Sequence, residues 1–301
     1  MTRWCRWCQR FLGECAPYEV LSITDGLCAQ CEQGLERRNA DPERTQHIAR
    51  FMTRFVRDSL FEALPDPQGW IAEGRNLGLR PVDLLLGVVQ PTLCALGVET
   101  AAGRVSWALE HKLSSLAKQL LDTFEGDDEI ALEGAPGFLL VTVPGDMHEL
   151  GARALALALS EGGVRVDTLL QAHPKQIAEI LERQHYGGVG WSLAMSEQFP
   201  AVEEGMRLAR QLQPGLLTAL GGWVTKDQSV DTRPFDFIGD PTSTVETTRS
   251  LARLIRERAA ERSDHDAIAS SWVWTLKNRL VGGHRADHPP RRPGGLNGDA
   301  T

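Results

Sequence analysis

The sequence predicts an α/β protein, a doubly wound parallel sheet preceded by a helix-bundle cap and a small cysteine-bearing module. Three observations predict it. Short apolar runs alternate with helical patterns over 134–260, an uninterrupted helical pattern fills 41–125, and two Cys-x-x-Cys pairs fall within residues 1–36. Strands that alternate with helices at this spacing pair as parallel strands joined by helical crossovers.

The strands and helices follow in order. Gly137–Val143 is a short apolar run suited to a buried strand, ending at Pro144-Gly145, and the Ala/Leu-rich helix Ala152–Ser160 comes after the loop Asp146–Gly151. Val164–Leu170, Gly188–Ala194, Leu216–Leu220 and a weaker Phe235–Ile238 supply four more strands. Helices Gln176–Arg183, Ala201–Leu212 and Ser243–Arg258 lie between and after them. A flavodoxin-like strand order is expected, with ligands bound at the carboxyl ends of the strands.

Upstream, Asp41-Pro42-Glu43 is a helix start signal, and Ile48, Phe51, Met52, Phe55 and Val56 recur at helical spacing as one buried stripe. Leu77–Arg80 breaks the pattern. Pro81 opens a helix expected to reach Leu96 with a kink or restart at Pro91, and another helix is expected over Ala102–Phe124. In that last helix Trp107, Glu110 and His111 stand at i, i+3 and i+4, on one face.

Four of the six cysteines fall as Cys5-x-x-Cys8 and Cys28-x-x-Cys31. Each turn aims two thiolates at one point, and two turns close a tetrahedral zinc site with no open position, which is structural rather than catalytic. A segment of about 35 residues buries too little apolar surface to fold alone, so the metal is expected to supply folding energy. The module resembles the small zinc ribbons appended to bacterial signalling proteins. Cys15 and Cys94 are left as free thiols.

With 32 Lys+Arg against 40 Asp+Glu, the net charge of −8 argues against a broad nucleic-acid footprint. Arg3, Arg6 and Arg10 in the ribbon are too few to reverse that. No continuous apolar run reaches the ~20 residues of a membrane span, and the first residues lack a signal-peptide apolar region, so a cytoplasmic protein without a membrane is expected. Six cysteines in that reducing compartment are not a disulfide framework.

Asp146-x-His148-x-x-Gly151 at a strand-to-helix turn, then Ser192 late in the third strand, then Gly221-Gly222 after the fourth, resembles the cobalamin-binding domain. The resemblance implies that cobalamin is the cofactor, that His148 is the lower cobalt ligand and that Asp146 holds its other ring nitrogen. It also implies that Gly151, Ser192, Gly221 and Gly222 line the groove for the displaced nucleotide tail. With Glu110-His111 in the helical cap, the chain looks like the cobalamin photoreceptors and antirepressors. Those sensors carry a Trp ten residues before such a pair. Thr100 stands there in this chain, and Trp107 is left to cover the upper face of the corrin, with His111 near the cobalt.

This reading implies a transcriptional regulator, light as a candidate signal, and a partner protein such as a transcription factor rather than direct DNA contact. The enzyme-class alternative is a corrinoid methyl carrier of a methyltransferase system, and a third reading places haem on His148. At the C-terminus a helix is expected over 264–281, with Trp272 or Trp274 in a core or homo-oligomer contact, followed by a disordered tail over 282–301.

Overall fold

The computed structural model describes residues 1–6, 8–17, 20–33, 42–60, 66–127 and 134–261. Residues Met1–Arg258 form one unit and Ala259–Thr301 a second, of which 259–261 are described. The C-terminal helix expected over 264–281 and the tail after it lie outside the described residues.

The chain opens with three short strands, β1 (Thr2–Cys5), β2 (Phe11–Glu14) and β3 (Ile23–Gly26), ordered β2-β1-β3, and helix α1 (Ala29–Gln33). β1 runs antiparallel to β2 and parallel to β3, with Cys5 opposite Gly26.

Helices α2 (Pro42–Leu60), α3 (Pro67–Asn76), α4 (Pro81–Leu84), α5 (Gln90–Ala101) and α6 (Trp107–Asp127) make the bundle. The residues Leu85–Val89 between α4 and α5 form a π-helical turn in which the Gln90 amide donates to the Leu85 carbonyl. Pro91 has no N–H and its ring would crowd the carbonyl four residues back, and the wider turn just ahead of it accommodates both. The helix therefore continues past Pro91 to Ala101, beyond the expected end at Leu96. α6 starts at Trp107 rather than Ala102, because Gly103 turns the chain at a φ of +69° and Ser106 Oγ accepts from the Leu109 amide.

By length and composition Pro81–Ala101 is apolar enough to cross a membrane, although the sequence reading expected no such span. Leu84, Leu85, Leu86, Val88, Val89 and Leu96 are buried in the bundle, which accounts for that composition.

The bundle core also takes in residues from outside the bundle. Trp4 and Phe11 of the N-terminal strands belong to it, as do Ala154, Leu157 and Ala158 of helix α7 (Glu149–Glu161). A Cβ on Gly87 would lie 2.4 Å from Trp4 Cζ2, so only glycine lets the indole seat on the π turn. The Trp4 Nε1–H donates to Thr2 Oγ1 at 3.1 Å, and the Phe11 amide donates to the buried Asp83 carboxylate at 3.0 Å. Arg80 pairs with Asp83 through two 2.7 Å hydrogen bonds and reaches Glu161 at the far end of α7, also at 2.7 Å. The N-terminal module, read from sequence as depending on its metal alone, thus also draws on the bundle core for apolar burial.

The second half is a five-stranded parallel sheet: β4 (Gly137–Val141), β5 (Arg165–Leu169), β6 (Gly188–Ser192), β7 (Leu217–Gly221) and β8 (Phe237–Ile238), in the order β5-β4-β6-β7-β8. This is the flavodoxin-like order, with its switch point between β4 and β6. Helices α8 (Pro174–Arg183) and α9 (Phe199–Leu212) cover one face, over Leu139, Val141, Val189 and Trp191. Helix α7 and a last helix, α10 (244–261), cover the other, over Phe138, Leu140, Leu217 and Ala219. Successive β4 residues alternate between the two cores, as the period of two along a strand requires.

Candidate functional site

The switch point puts two loops side by side, one after β4 and one after β6. Asp146 sits in the first loop, almost wholly buried, and its carboxylate ties the two together. Oδ2 accepts from the Ala194 amide at 3.1 Å, and Oδ1 accepts from the His148 amide at 2.9 Å and lies 2.9 Å from His148 Nδ1.

Burial pushes the Asp146 carboxyl up, but the hydrogen bonds from the His148 ring, the His148 amide and the Ala194 amide outweigh it and hold the group below the ordinary carboxylate range. His148 is raised above its ordinary value, chiefly by the Asp146 hydrogen bond, against burial and with help from the charges of Asp146 and Glu110. The pair is therefore oriented: Asp146 fixes Nδ1 and leaves Nε2 outward on a side chain that is 64% exposed.

Gln171, in the loop after β5, completes the support. Its backbone adopts a left-handed φ of +54°, its amide donates to Thr142 Oγ1 at 2.9 Å, and its Oε1 accepts from the Gly145 amide at 3.0 Å. Its Nε2 donates to the Asp146 carbonyl. Sequence reading missed Gln171. Its only signal was a polar residue at the carboxyl end of a strand.

The other expected site residues fall into two groups. Ser192 and Gly221 face each other across β6 and β7 at the carboxyl edge, and Gly222 follows. Gly151 lies exposed in the first turn of α7, with open space where a side chain would be. On the cap side, α6 docks on α7 through the pairs Lys118–Glu149 and Asp122–Arg153. Its first turn carries Trp107, which is 67% exposed, and Glu110, whose charge reaches His148, with an exposed His111 next in the chain.

Around the same edge, Met147, Leu170, Met195, Trp223 and Ile238 are large apolar residues left exposed at or just after the ends of all five strands. These residues fit a corrinoid. An imidazole with one nitrogen held by a carboxylate suits an axial metal position, and an apolar rim suits a flat macrocycle. Bound there, cobalamin would supply cobalt chemistry, with His148 the residue that would hold the metal and the Ser192–Gly221 edge the one that would border the rest of the cofactor.

Gly222 is the tightest point of that wall. Its φ is +91°, and a Cβ would lie 2.2 Å from the Leu193 carbonyl oxygen. Gly222→Ala is expected to cost about 1–3 kcal/mol, lowering Tm by on the order of 5 °C. At Gly221 the nearest atom to a Cβ is the Trp191 carbonyl oxygen at 4.0 Å, so Gly221→Ala is expected to melt like the wild type. Equal melting temperatures for the two variants would contradict this geometry.

The second cluster of metal-ligating side chains is at the N-terminus. The sulfur atoms of Cys5, Cys8, Cys28 and Cys31 all lie within 4.8 Å of one another.

Comparison with known proteins bears on the first site. Solved structures similar to the chain include the following two. One is the 1.5 Å crystal structure of a novel cobalamin-binding protein from Desulfitobacterium hafniense DCB-2, with 17% identity over 67% of this chain and 98% of that one, and a TM-score of 0.36. The other is the methanol:cobalamin methyltransferase complex MtaBC from Methanosarcina barkeri, with 9% identity over 77% of this chain and 94% of that one, and a TM-score of 0.36. No curated protein matches. Residues 136–247, which hold the sheet, the Asp146–His148 pair and the apolar rim, match the family model of the B12 binding domain.

Proposed function

We propose that the protein is a cytoplasmic cobalamin-binding regulator that acts through a partner protein, with His148 as the lower cobalt ligand, Asp146 as its orienting partner, and Gly151, Ser192, Gly221 and Gly222 along the tail groove. The observation that carries this reading is the oriented Asp146–His148 pair with the start of α6 held near it. Glu110 acts on His148, while Trp107 and His111 stand exposed beside it in the chain and are available to the upper face of a bound corrin. The net charge of −8 supports a protein partner over DNA as the output.

The test is reconstitution with methylcobalamin, adenosylcobalamin and hydroxocobalamin, with absorption spectra recorded in the dark and after illumination. The regulator reading expects a stable complex, a spectrum that changes on illumination and is altered by His111→Ala, and no gel shift of DNA by this protein alone. A light response identical in His111→Ala would remove His111 from the upper face. A complex indifferent to light that passes its methyl group to a thiol acceptor through cob(I)alamin would assign the chain as a methyl carrier. A purified protein holding haem in place of cobalamin would overturn the cofactor.

A further inference from the structure

We propose that Cys5, Cys8, Cys28 and Cys31 bind one zinc ion as four thiolates, and that this ion is a fastener holding Trp4 in the helical bundle. The proposal goes beyond the cobalamin reading and is independent of it.

The topology brings the two cysteine pairs together. Cys5 ends β1 and Cys8 lies in the turn after it, while Cys28 follows β3 and Cys31 lies in α1. Because β1 and β3 are parallel neighbours with Cys5 opposite Gly26, both turns leave the same end of the small sheet. The backbone is shaped for thiolates as well. The Gln9 amide closes the first turn on the Cys5 carbonyl at 2.9 Å, and the Cys31 amide points at Cys28 Sγ at 3.4 Å.

Distance separates metal from disulfide. Four sulfurs about 2.3 Å from a central zinc lie about 3.8 Å apart along the edges of the tetrahedron. A disulfide closes to about 2.05 Å. Cys8 Sγ and Cys28 Sγ are 3.6 Å apart, close to the tetrahedral spacing. Four sulfurs fill every position, so the site has no place for a reacting water.

The fastening role follows from what surrounds the sulfurs. Among the described residues the local cluster holds the four cysteines with Leu12 and Leu27, too little apolar surface to fix the two turns by itself. The strand that ends in Cys5 carries Trp4 into the bundle core, one residue away. A metal that closes the turns therefore also fixes the strand that presents the indole, and its binding energy becomes folding energy for the bundle.

The experiment uses the full-length protein. Elemental analysis of protein purified without added metal is expected to give one zinc per chain. Replacement by Co(II) is expected to give the intense visible bands of a tetrahedral thiolate site. The half-buried pair is the one to vary: Cys8→Ser with Cys28→Ser is expected to lose the zinc, while Cys15→Ser with Cys94→Ser keeps it. Chelation of the wild type is expected to lower Tm by on the order of 10 °C. Zinc retained by the Cys8/Cys28 variant, iron in place of zinc, or a wild type that melts alike with and without metal would each overturn the proposal. Should the Cys8/Cys28 variant fail to fold, the wild-type zinc count and the Co(II) spectrum decide alone. Hydroxocobalamin binding to the metal-loaded wild type, measured in parallel, reports on the other site separately.

Discussion

In cob(II)alamin-loaded protein, His148→Ala is expected to lose the nitrogen splitting of the axial cobalt resonance in electron paramagnetic spectra. Uniform ¹⁵N labelling of the wild type is expected to change that splitting from three lines to two, because the nitrogen then comes from the protein. Asp146→Asn is the more informative partner variant. The amide keeps the size of the side chain but loses the charge that fixes His148 Nδ1, and changes to such orienting groups typically cost 10- to 100-fold in metal affinity, which sets the expected rise in Kd (about that range). The same variant weakens the tie to the Ala194 amide, so part of the loss is expected as a broadened loop rather than a lost ligand. If His148→Ala binds hydroxocobalamin with unchanged spectrum and affinity, His148 is an ordinary loop histidine.

The second large effect concerns the bundle core. Trp4 is wholly buried against Phe11, with ring centroids 5.4 Å apart, and against the glycine of the π turn. Trp4→Ala removes the largest apolar side chain at that junction and is expected to cost about 3–5 kcal/mol in urea unfolding. Gly87→Val is expected to be severe for the opposite reason, because its side chain would occupy the space of the indole. The two variants share one volume, so they are expected not to add. In the Trp4→Ala background the methyl groups introduced by Gly87→Val enter the vacated space, and the coupling is expected at about 1–3 kcal/mol. Strict additivity would mean that the indole does not bear on Gly87.

How much of this was legible in the sequence depends on whether the signal is local. The strand and helix alternation after residue 134 was legible because buried parallel strands read as short apolar runs, and all five strands overlap those runs, β7 running one residue past its own to take in Gly221. The runs overshoot at their carboxyl ends: Thr142-Val143 and Leu193-Ala194 continue the apolar pattern but leave the sheet for the site loops. The Asp146–His148 pair was legible because two residues of spacing put a carboxylate within reach of a ring. Gln171 was not, because its role rests on a left-handed backbone and on a loop 25 residues away in the chain. Trp4 looked like a ribbon residue among cysteines and arginines, and nothing in its neighbourhood pointed to a glycine 83 positions later. The π turn was visible only as a proline in a helix, which signals a break more often than a widened turn.

Helix α7 has consequences for how the molecule can move. Its Ala152 and Leu159 lie in the core against the sheet, while Ala154, Leu157 and Ala158 lie in the core of the bundle, and His148 stands immediately before its first residue. The helix is shared by the two cores, and the last helix adds a second tie through the Gln90 Nε2–H to Thr244 Oγ1 hydrogen bond at 3.2 Å. Alanines present low ridges, which favours sliding of one packed layer over another rather than a swing about a flexible joint. The Arg80–Glu161 pair at one end of α7 and the Lys118–Glu149 pair at the other tie both ends of this helix to the bundle.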